Sequence, residues 1–296
     1  MKTAIISGCD NNYFSNYLNL YNSLIDHKCF EYADLCFVNI SVRESNLNKI
    51  SKYIKKIVEP KWDFNLKFKS NEWKKILTIR PFLKNYFPGY DNYIWLDADT
   101  WVQSNQFIKD FNQVSEIGKI SIVPEYDINY EILNNSYSFK KIIFDLYKAR
   151  GWSYKNLKRY FDKKTFNNLF QKPILNAGVF SIPSKSIVWD KWSMEYREVI
   201  ENSSDDYCLN MDQATLNKVL YNNLNLVNFF NSEYNYLVKN FLPSLDNDDN
   251  FCIKDYPHNK IKILHLTQIE NNKIFDIQTI HGKKIKKNFA YEKKKY

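Results

Sequence analysis

Two acids one residue apart, Asp97 and Asp99, directly follow the apolar run Tyr93-Ile94-Trp95-Leu96. In extended chain, residues i and i+2 point to the same side, so the two carboxylates are expected to converge. Two hard, anionic oxygen donors suit Mg2+ or Mn2+. An Asp-x-Asp alone recurs by chance in many chains. Here the apolar strand before it puts the pair at the C-terminal edge of a parallel sheet, where such folds bind ligands. A cation held there can neutralise a diphosphate.

No glycine loop competes for that task. The 296 residues include only six glycines, and the closest two, Gly151 and Gly178, are 27 residues apart. That excludes a G-x-G-x-x-G fingerprint, a P-loop and a G-x-S-x-G elbow.

The elements that must position the acids alternate. Residues 2–9 read as a buried strand and 13–26 as an amphipathic helix, with apolar positions at Tyr13, Phe14, Tyr17, Leu18, Tyr21, Leu24 and Ile25. Residues 33–40 are a second strand, 44–55 a helix and 56–59 a short strand. Residues 73–86 are a helical segment broken by Pro81, and 91–96 a strand running into Asp97. Strands at 119–123, 174–182 and 261–266 follow, the last of these closing the pattern. Helices are expected at 186–202 and 211–220, and a mostly helical, Lys- and aromatic-rich insertion at 139–170. This β-α-β order implies an α/β fold, a mostly parallel Rossmann-like sheet with helices on both faces. With no repeat and no Pro- or Ser-rich linker, one domain over 1–270 and a basic tail over 271–296 is the simplest division.

The formal charge is +9, which favours acidic partners. After His281 the chain carries Lys283, Lys284, Lys286, Lys287, Lys293, Lys294 and Lys295 against the single acid Glu292. Such a tail is either a frayed, solvated terminus or a segment that holds to anionic membranes, its lysines interleaved with Phe289, Tyr291 and Tyr296. Five irregularly spaced cysteines with no C-x-x-C read as free thiols in a reducing compartment. The N-terminal apolar stretch is too short for a signal sequence, and no run approaches the ~18 apolar residues of a membrane helix. The expected location is the cytoplasm, with peripheral attachment at the inner face of its membrane.

Taken in order, five blocks resemble the GT-A-fold glycosyltransferases of family 8, retaining enzymes that include bacterial lipooligosaccharide galactosyltransferases and glycogenin. They are Asp10-Asn11-Asn12-Tyr13, Arg80-Pro81, Ile94-Trp95-Leu96-Asp97-Ala98-Asp99, Leu175-Asn176-Ala177-Gly178-Val179-Phe180, and Asp212-Gln213-Ala214-Thr215-Leu216-Asn217 followed by His265-Leu266-Thr267. The resemblance covers roughly residues 2–267.

It implies a UDP-sugar donor, a Mn2+ (or Mg2+) cofactor and hexosyl transfer with retention to a glycan or lipid-linked acceptor, with no nucleic acid involved. Asp10 and Asn12 would hold the uridine, and Tyr13 would stack on the uracil, unless it is a core aromatic. Arg80 would contact sugar and diphosphate. Asn176, Ala177 and Gly178 would line the sugar, with Gly178 forced by close backbone approach to the ligand or a special dihedral. Gln213 would lie near the anomeric carbon and Asp212 beside it, the fallback nucleophile, also suited to cap its helix. His265 would complete a metal set with Asp97 and Asp99, and a mixed O/N set favours Mn2+.

The chain departs from the family after His265, where Gly, Lys and Pro are usual. Lys273 is then the expected substitute for the lysine that grips the diphosphate. Acceptor contacts are expected from the insertion at 126–172. Two rivals fit less of the sequence. A non-catalytic basic protein binding nucleic acid or membrane surfaces leaves Asp97, Asp99, Asp212 and Gln213 unexplained. A sugar nucleotidyltransferase needs a Gly-rich N-terminal loop, which is absent.

Overall fold

The computed structural model describes residues 1–125, 155–170, 172–239, 241–267, 269–270 and 272–292. Its centre is a seven-stranded sheet of β1 (Thr3–Asp10), β2 (Asp34–Ile40), β3 (Ile54–Val58), β4 (Asn92–Leu96), β6 (Ile120–Pro124), β7 (Leu175–Pro183) and β8 (Val227–Phe229). The strand order is β3-β2-β1-β4-β7-β6-β8. β1 pairs parallel with β2 and β4, β2 with β3, and β6 with β8, whereas β7 runs antiparallel to both β4 and β6. The sheet is thus mostly parallel, as expected, with one reversed strand at the centre.

Both faces are covered. β1, β4 and β7 are buried almost throughout, their polar Ser7, Asn92, Asn176 and Ser181 included, as strands covered on both faces should be. Their side chains divide by period 2: Ile6, Trp95 and Phe180 enter one core with Trp189 and Trp192 of the helix Val188–Glu201. Ile5, Ile94 and Val179 enter the other with Tyr17 and Leu20 of the helix Phe14–Asp26 and Phe111 of the helix Gln106–Glu116. Each such large side chain contributes about 1.5–3 kcal/mol by leaving water.

A smaller sheet lies beside the end of β4. β5 (Thr100–Val102) pairs antiparallel with β12 (Ile263–His265), which pairs parallel with β9 (Tyr236–Leu237). A short ladder of β10 (Ser244–Leu245) and β11 (Phe251–Cys252) packs nearby.

Several elements differ from expectation. The helix expected over 44–55 ends at Ile50, and β3 starts at Ile54. Pro81 does break the 73–86 segment as expected: the α-helix stops at Thr78 and resumes at Leu83, with Pro81 in the turn between. It sits in the first turn of a 3-10 helix, Arg80–Phe82, where its missing N–H costs nothing. Of the insertion, residues 126–154 and 171 lie outside the described residues, while 155–160 and Lys163–Phe170 are helical.

The strand at 261–266 is not the last. β13 (Phe275–Gln278) and β14 (Lys284–Lys287) form an antiparallel hairpin. Ile277 and Phe289 are fully buried in a cluster with Trp101, Tyr236 and Leu264. Trp101 Nε1 donates to the Phe289 carbonyl at 3.1 Å, and the Tyr291 hydroxyl donates to Asp26 at 3.0 Å. Up to Glu292 the terminus is therefore packed rather than frayed, and Phe289 faces inward. All five cysteines are free and buried. No described helix is long and apolar enough to cross a membrane.

Candidate active site

A cavity of about 610 Å³ opens at the C-terminal ends of β1 and β4, lined among others by Asp10, Asn12, Tyr13, Trp73, Arg80, Asp97, Asp99, Lys239, His265 and Thr267. The two acids do not converge through extended chain. Residues 97–100 form a turn, in which Thr100 donates from its backbone N–H at 3.0 Å and its hydroxyl at 2.8 Å to the Asp97 carbonyl. The turn reverses β4 into β5. Antiparallel pairing then sets His265 opposite Thr100, and Leu266 N–H donates to the Asp99 carbonyl at 2.9 Å.

One ligand atom each from Asp97, Asp99 and His265 lie within 4.8 Å of one another. His265 Nε2 is 3.4 Å from Asp99 Oδ1 and 3.9 Å from Asp97 Oδ2. Two carboxylate oxygens and an imidazole nitrogen facing one point are a donor set that fits Mn2+. Burial disfavours charge on His265, but the Asp99 and Asp97 carboxylates outweigh it and raise the imidazole pKa. A cation at this point competes with that proton.

Asp97 divides its work between its two oxygens. Oδ1 accepts from Arg80 Nη2 at 2.5 Å and Trp95 Nε1 at 2.7 Å, which leaves Oδ2 toward His265. The other terminal nitrogen of Arg80 donates to Asp212 Oδ2 at 2.6 Å. Burial opposes the Arg80 charge, and the two carboxylates more than offset it. Burial also raises the Asp212 pKa, with Arg80 pulling it back. Arg80 Nε, buried at the cavity wall, has no protein partner. Asp212 is the first residue of its helix rather than its cap. The cap position is Met211, and the Asp212 carboxylate goes to Arg80.

Asp10 Oδ1 accepts from the Tyr13 N–H at 2.9 Å, turning the chain after β1. Tyr13 is 46% exposed at the cavity wall, not a core residue.

The β7 residues lie deeper. Ala177 is fully buried, and its N–H donates to Gln213 Oε1 at 2.8 Å. Gln213 also hydrogen-bonds Glu125 and lines a small neighbouring pocket with Asn156 and Lys172. A Cβ on Gly178 would stand 2.3 Å from His265 Cε1 and 2.8 Å from Asp97 Oδ2. The glycine at 178 is thus required by the two side chains of the candidate donor set packed on it. Its backbone is not left-handed.

Lys273 is exposed, with its ammonium 5.3 Å from the Phe275 ring centroid, and does not line the cavity. Lys239 does. It follows β9, whose Leu237 pairs with His265. Sequence reasoning also gave no role to Trp73, nor to Thr267 beyond its place in the His265-Leu266-Thr267 block. Trp73, 43% exposed seven residues before Arg80, had composition as its only signal. Thr267 has φ +47°, a strained conformation for a β-branched residue, and its buried hydroxyl has no partner.

No protein-family model matches the chain, and no curated protein is similar to it in sequence. Solved structures are similar in fold. The apo bifunctional glycosyltransferase WbbM is 17% identical with a TM-score of 0.54, over 91% of this chain and 46% of that one. The chain therefore spans less than half of WbbM. The galactosyltransferase LgtC, in complex with donor and acceptor sugar analogues, is 16% identical with a TM-score of 0.52, over 89% of this chain and 87% of that one. Mouse xyloside xylosyltransferase 1 is 12% identical with a TM-score of 0.52, over 90% of this chain and 98% of that one. At these identities the likeness is one of architecture, and the architecture of this chain is that of the GT-A glycosyltransferases.

Proposed function

We propose that the protein is a divalent-cation-dependent glycosyltransferase that moves a hexose from a UDP-sugar to a glycan or lipid-linked acceptor with retention at the anomeric carbon. The observation that carries this reading is the Asp97/Asp99/His265 donor set facing one point in a cavity at the sheet edge. The donor and acceptor sugar analogues bound by LgtC, which shares the fold, support the substrate class.

Tyr13 offers an exposed ring for the uracil, and base–aromatic stacking is worth about 1–3 kcal/mol. Asp10 and Asn12 face the uridine beside it. The chemistry supplied by a bound Mn2+ (or Mg2+) is neutralisation of charge on the departing diphosphate. Lys239, which lines the cavity, takes the role expected of Lys273. Arg80, its charge held by Asp97 and Asp212, stabilises the leaving group electrostatically in a partly dry site. Asn176, Ala177 and Gly178 shape the sugar side, and Gln213 sits behind them. An amide at Gln213 cannot deprotonate an acceptor, so attack comes from the face the diphosphate leaves, whose departing oxygen takes the acceptor proton, or through a short-lived intermediate with Asp212 as fallback nucleophile. Residues 126–172 supply acceptor contacts. The outward lysines of the β13–β14 hairpin hold the protein to the anionic inner face of the cytoplasmic membrane.

A donor screen reading UDP release with Mn2+ tests the activity. Release from one UDP-hexose, lost with chelator, is expected; release from none overturns the reading. NMR of the fresh product from an α-linked donor tests retention, and a β-linked product overturns it. Gln213→Ala should lower kcat with little change in KM, as for an interaction made mainly in the transition state.

A further inference from the structure

Behind the donor set runs a chain of hydrogen bonds whose direction is fixed at one end by backbone. The Gly178 N–H can only donate, and it donates to Asn176 Oδ1 at 2.8 Å. That decides which end of the Asn176 amide is oxygen. Its Nδ2 accordingly points to Glu125 Oε1, 2.8 Å away. Asn176 Oδ1 also accepts from Asn235 Nδ2 at 2.9 Å. The second amide is thereby oriented in turn, and Asn235 Oδ1 is set 2.9 Å from His265 Nδ1. An amide oxygen only accepts, so Nδ1 must carry the hydrogen. A neutral imidazole has one N–H, which leaves the Nε2 lone pair directed at Asp97 and Asp99.

We infer that Asn235 is a positioning residue that, anchored through Asn176 to the Gly178 N–H, holds His265 in the Nδ1–H tautomer required for Nε2 to ligate a cation. Asn235 is fully buried and immediately precedes β9, which pairs with the strand carrying His265. The same ladder that aligns the imidazole thus delivers its orienting oxygen. Asn176 has both amide ends engaged in this chain, so besides shaping the sugar side it acts through Asn235 and His265. The inference rests on the proposed function only in supposing that a cation binds here.

The test begins with the metal-free protein at alkaline pH, where long-range 1H–15N NMR reports the tautomer of His265 without donor, acceptor or metal. The Nδ1–H form is expected in wild type and in Asn235→Asp, which gives up the donor to Asn176 but keeps an acceptor oxygen for Nδ1, and is lost in Asn235→Ala. Titration with Mn2+ alone, followed by the EPR signal of the free ion, should then show affinity falling about 10–100-fold in Asn235→Ala. Asn235→Asp should stay within a few-fold of wild type. An Nε2–H imidazole in the wild type overturns the inference. So does an equal loss of Mn2+ affinity in both variants with the tautomer unchanged, which is the pattern of a merely structural residue. If Asn235→Ala does not fold, the wild-type spectrum and Asn235→Asp still decide. Because the spectrum needs no substrate, it stands or fails independently of the glycosyl-transfer reading.

Discussion

Arg80 and Asp212, 132 residues apart in sequence, form a buried ion pair with Nη1 and Oδ2 2.6 Å apart. The pair joins the 3-10 turn at Pro81 to the first residue of the helix Asp212–Tyr221. Removing one partner strands a charge in a nearly dry site, which costs about 3–5 kcal/mol. Arg80→Met should therefore unfold several degrees below wild type by calorimetry, besides losing activity. An unchanged melting temperature would mean that the pair is not formed in solution.

Asp97 and Asp99 should differ in stability while agreeing in metal binding. Asp97 accepts from Arg80 and Trp95 as well as facing the cation point. Asp97→Ala should abolish Mn2+-dependent UDP binding and destabilise by about 1–3 kcal/mol through unpaired donors. Asp99→Ala should abolish the same binding with a smaller loss of stability. Calorimetry finding unchanged Mn2+/UDP affinity in both variants sinks the metal assignment.

Gly178→Ala is the smallest change that should disturb the metal set. The new methyl would overlap His265 Cε1 and crowd Asp97 Oδ2. Mn2+ affinity should fall by at least tenfold in folded protein, since ligand placement is that sensitive to its surroundings. Wild-type affinity would show that the imidazole has room to move aside.

Lys74 ties the segment before Arg80 to the segment before Asp212. Its ammonium donates at 2.9 Å to the Asp206 carbonyl and at 2.8 Å to Oδ2. The bond to Lys74 holds the Asp206 carboxyl below its ordinary range. That stabilisation is present above the ordinary carboxyl pKa of about 3.9 and is lost as pH falls through the depressed value. Thermal melts of Lys74→Met and wild type should differ most near neutrality and converge in acid. A gap independent of pH would contradict the pairing.

The hairpin carries its charge outward. Lys283, Lys284 and Lys286 are exposed, while Ile277 and Phe289 are buried. Truncation after His281 would remove Phe289 from beneath Trp101, so charge reversal is the cleaner probe. At about 1 kcal/mol per basic residue, Lys283→Glu, Lys284→Glu and Lys286→Glu together should weaken binding to phosphatidylglycerol vesicles by roughly a hundredfold. Sedimentation with vesicles in low and high salt measures it, and equal binding by the triple variant would remove the membrane role.

The parts of the fold legible in sequence were those with a long apolar signal. β1, β4 and β7 announce themselves as mainly apolar runs, and Asp97 and Asp99 stand at the end of one. The smaller sheet was only partly legible: β12 falls within the strand expected at 261–266, but β5 and β9, of three and two residues, have too little length for a period. Lys239 and Asn235 were missed with it: their relation to His265 exists only through the β9–β12 register. The alternation of Phe275 and Ile277 was present, but the surrounding lysines suggested a solvated tail. Convergence of the acids was anticipated for an incomplete reason, since a turn and a cross-strand pair produce it rather than extended chain.

The pairing of Thr100 with His265 has a thermodynamic consequence. Asp99 and His265 are fixed beside one short ladder, and Asp97 is fixed by its N–H to the Gly178 carbonyl of β7, so the cation meets ligands ordered on folding. Little further surface is then buried when it binds, and the heat-capacity change of association should be small. The enthalpy and entropy of binding then report mainly the exchange of water and protons at the ion, nearly unchanged across the temperature range in which the native state persists.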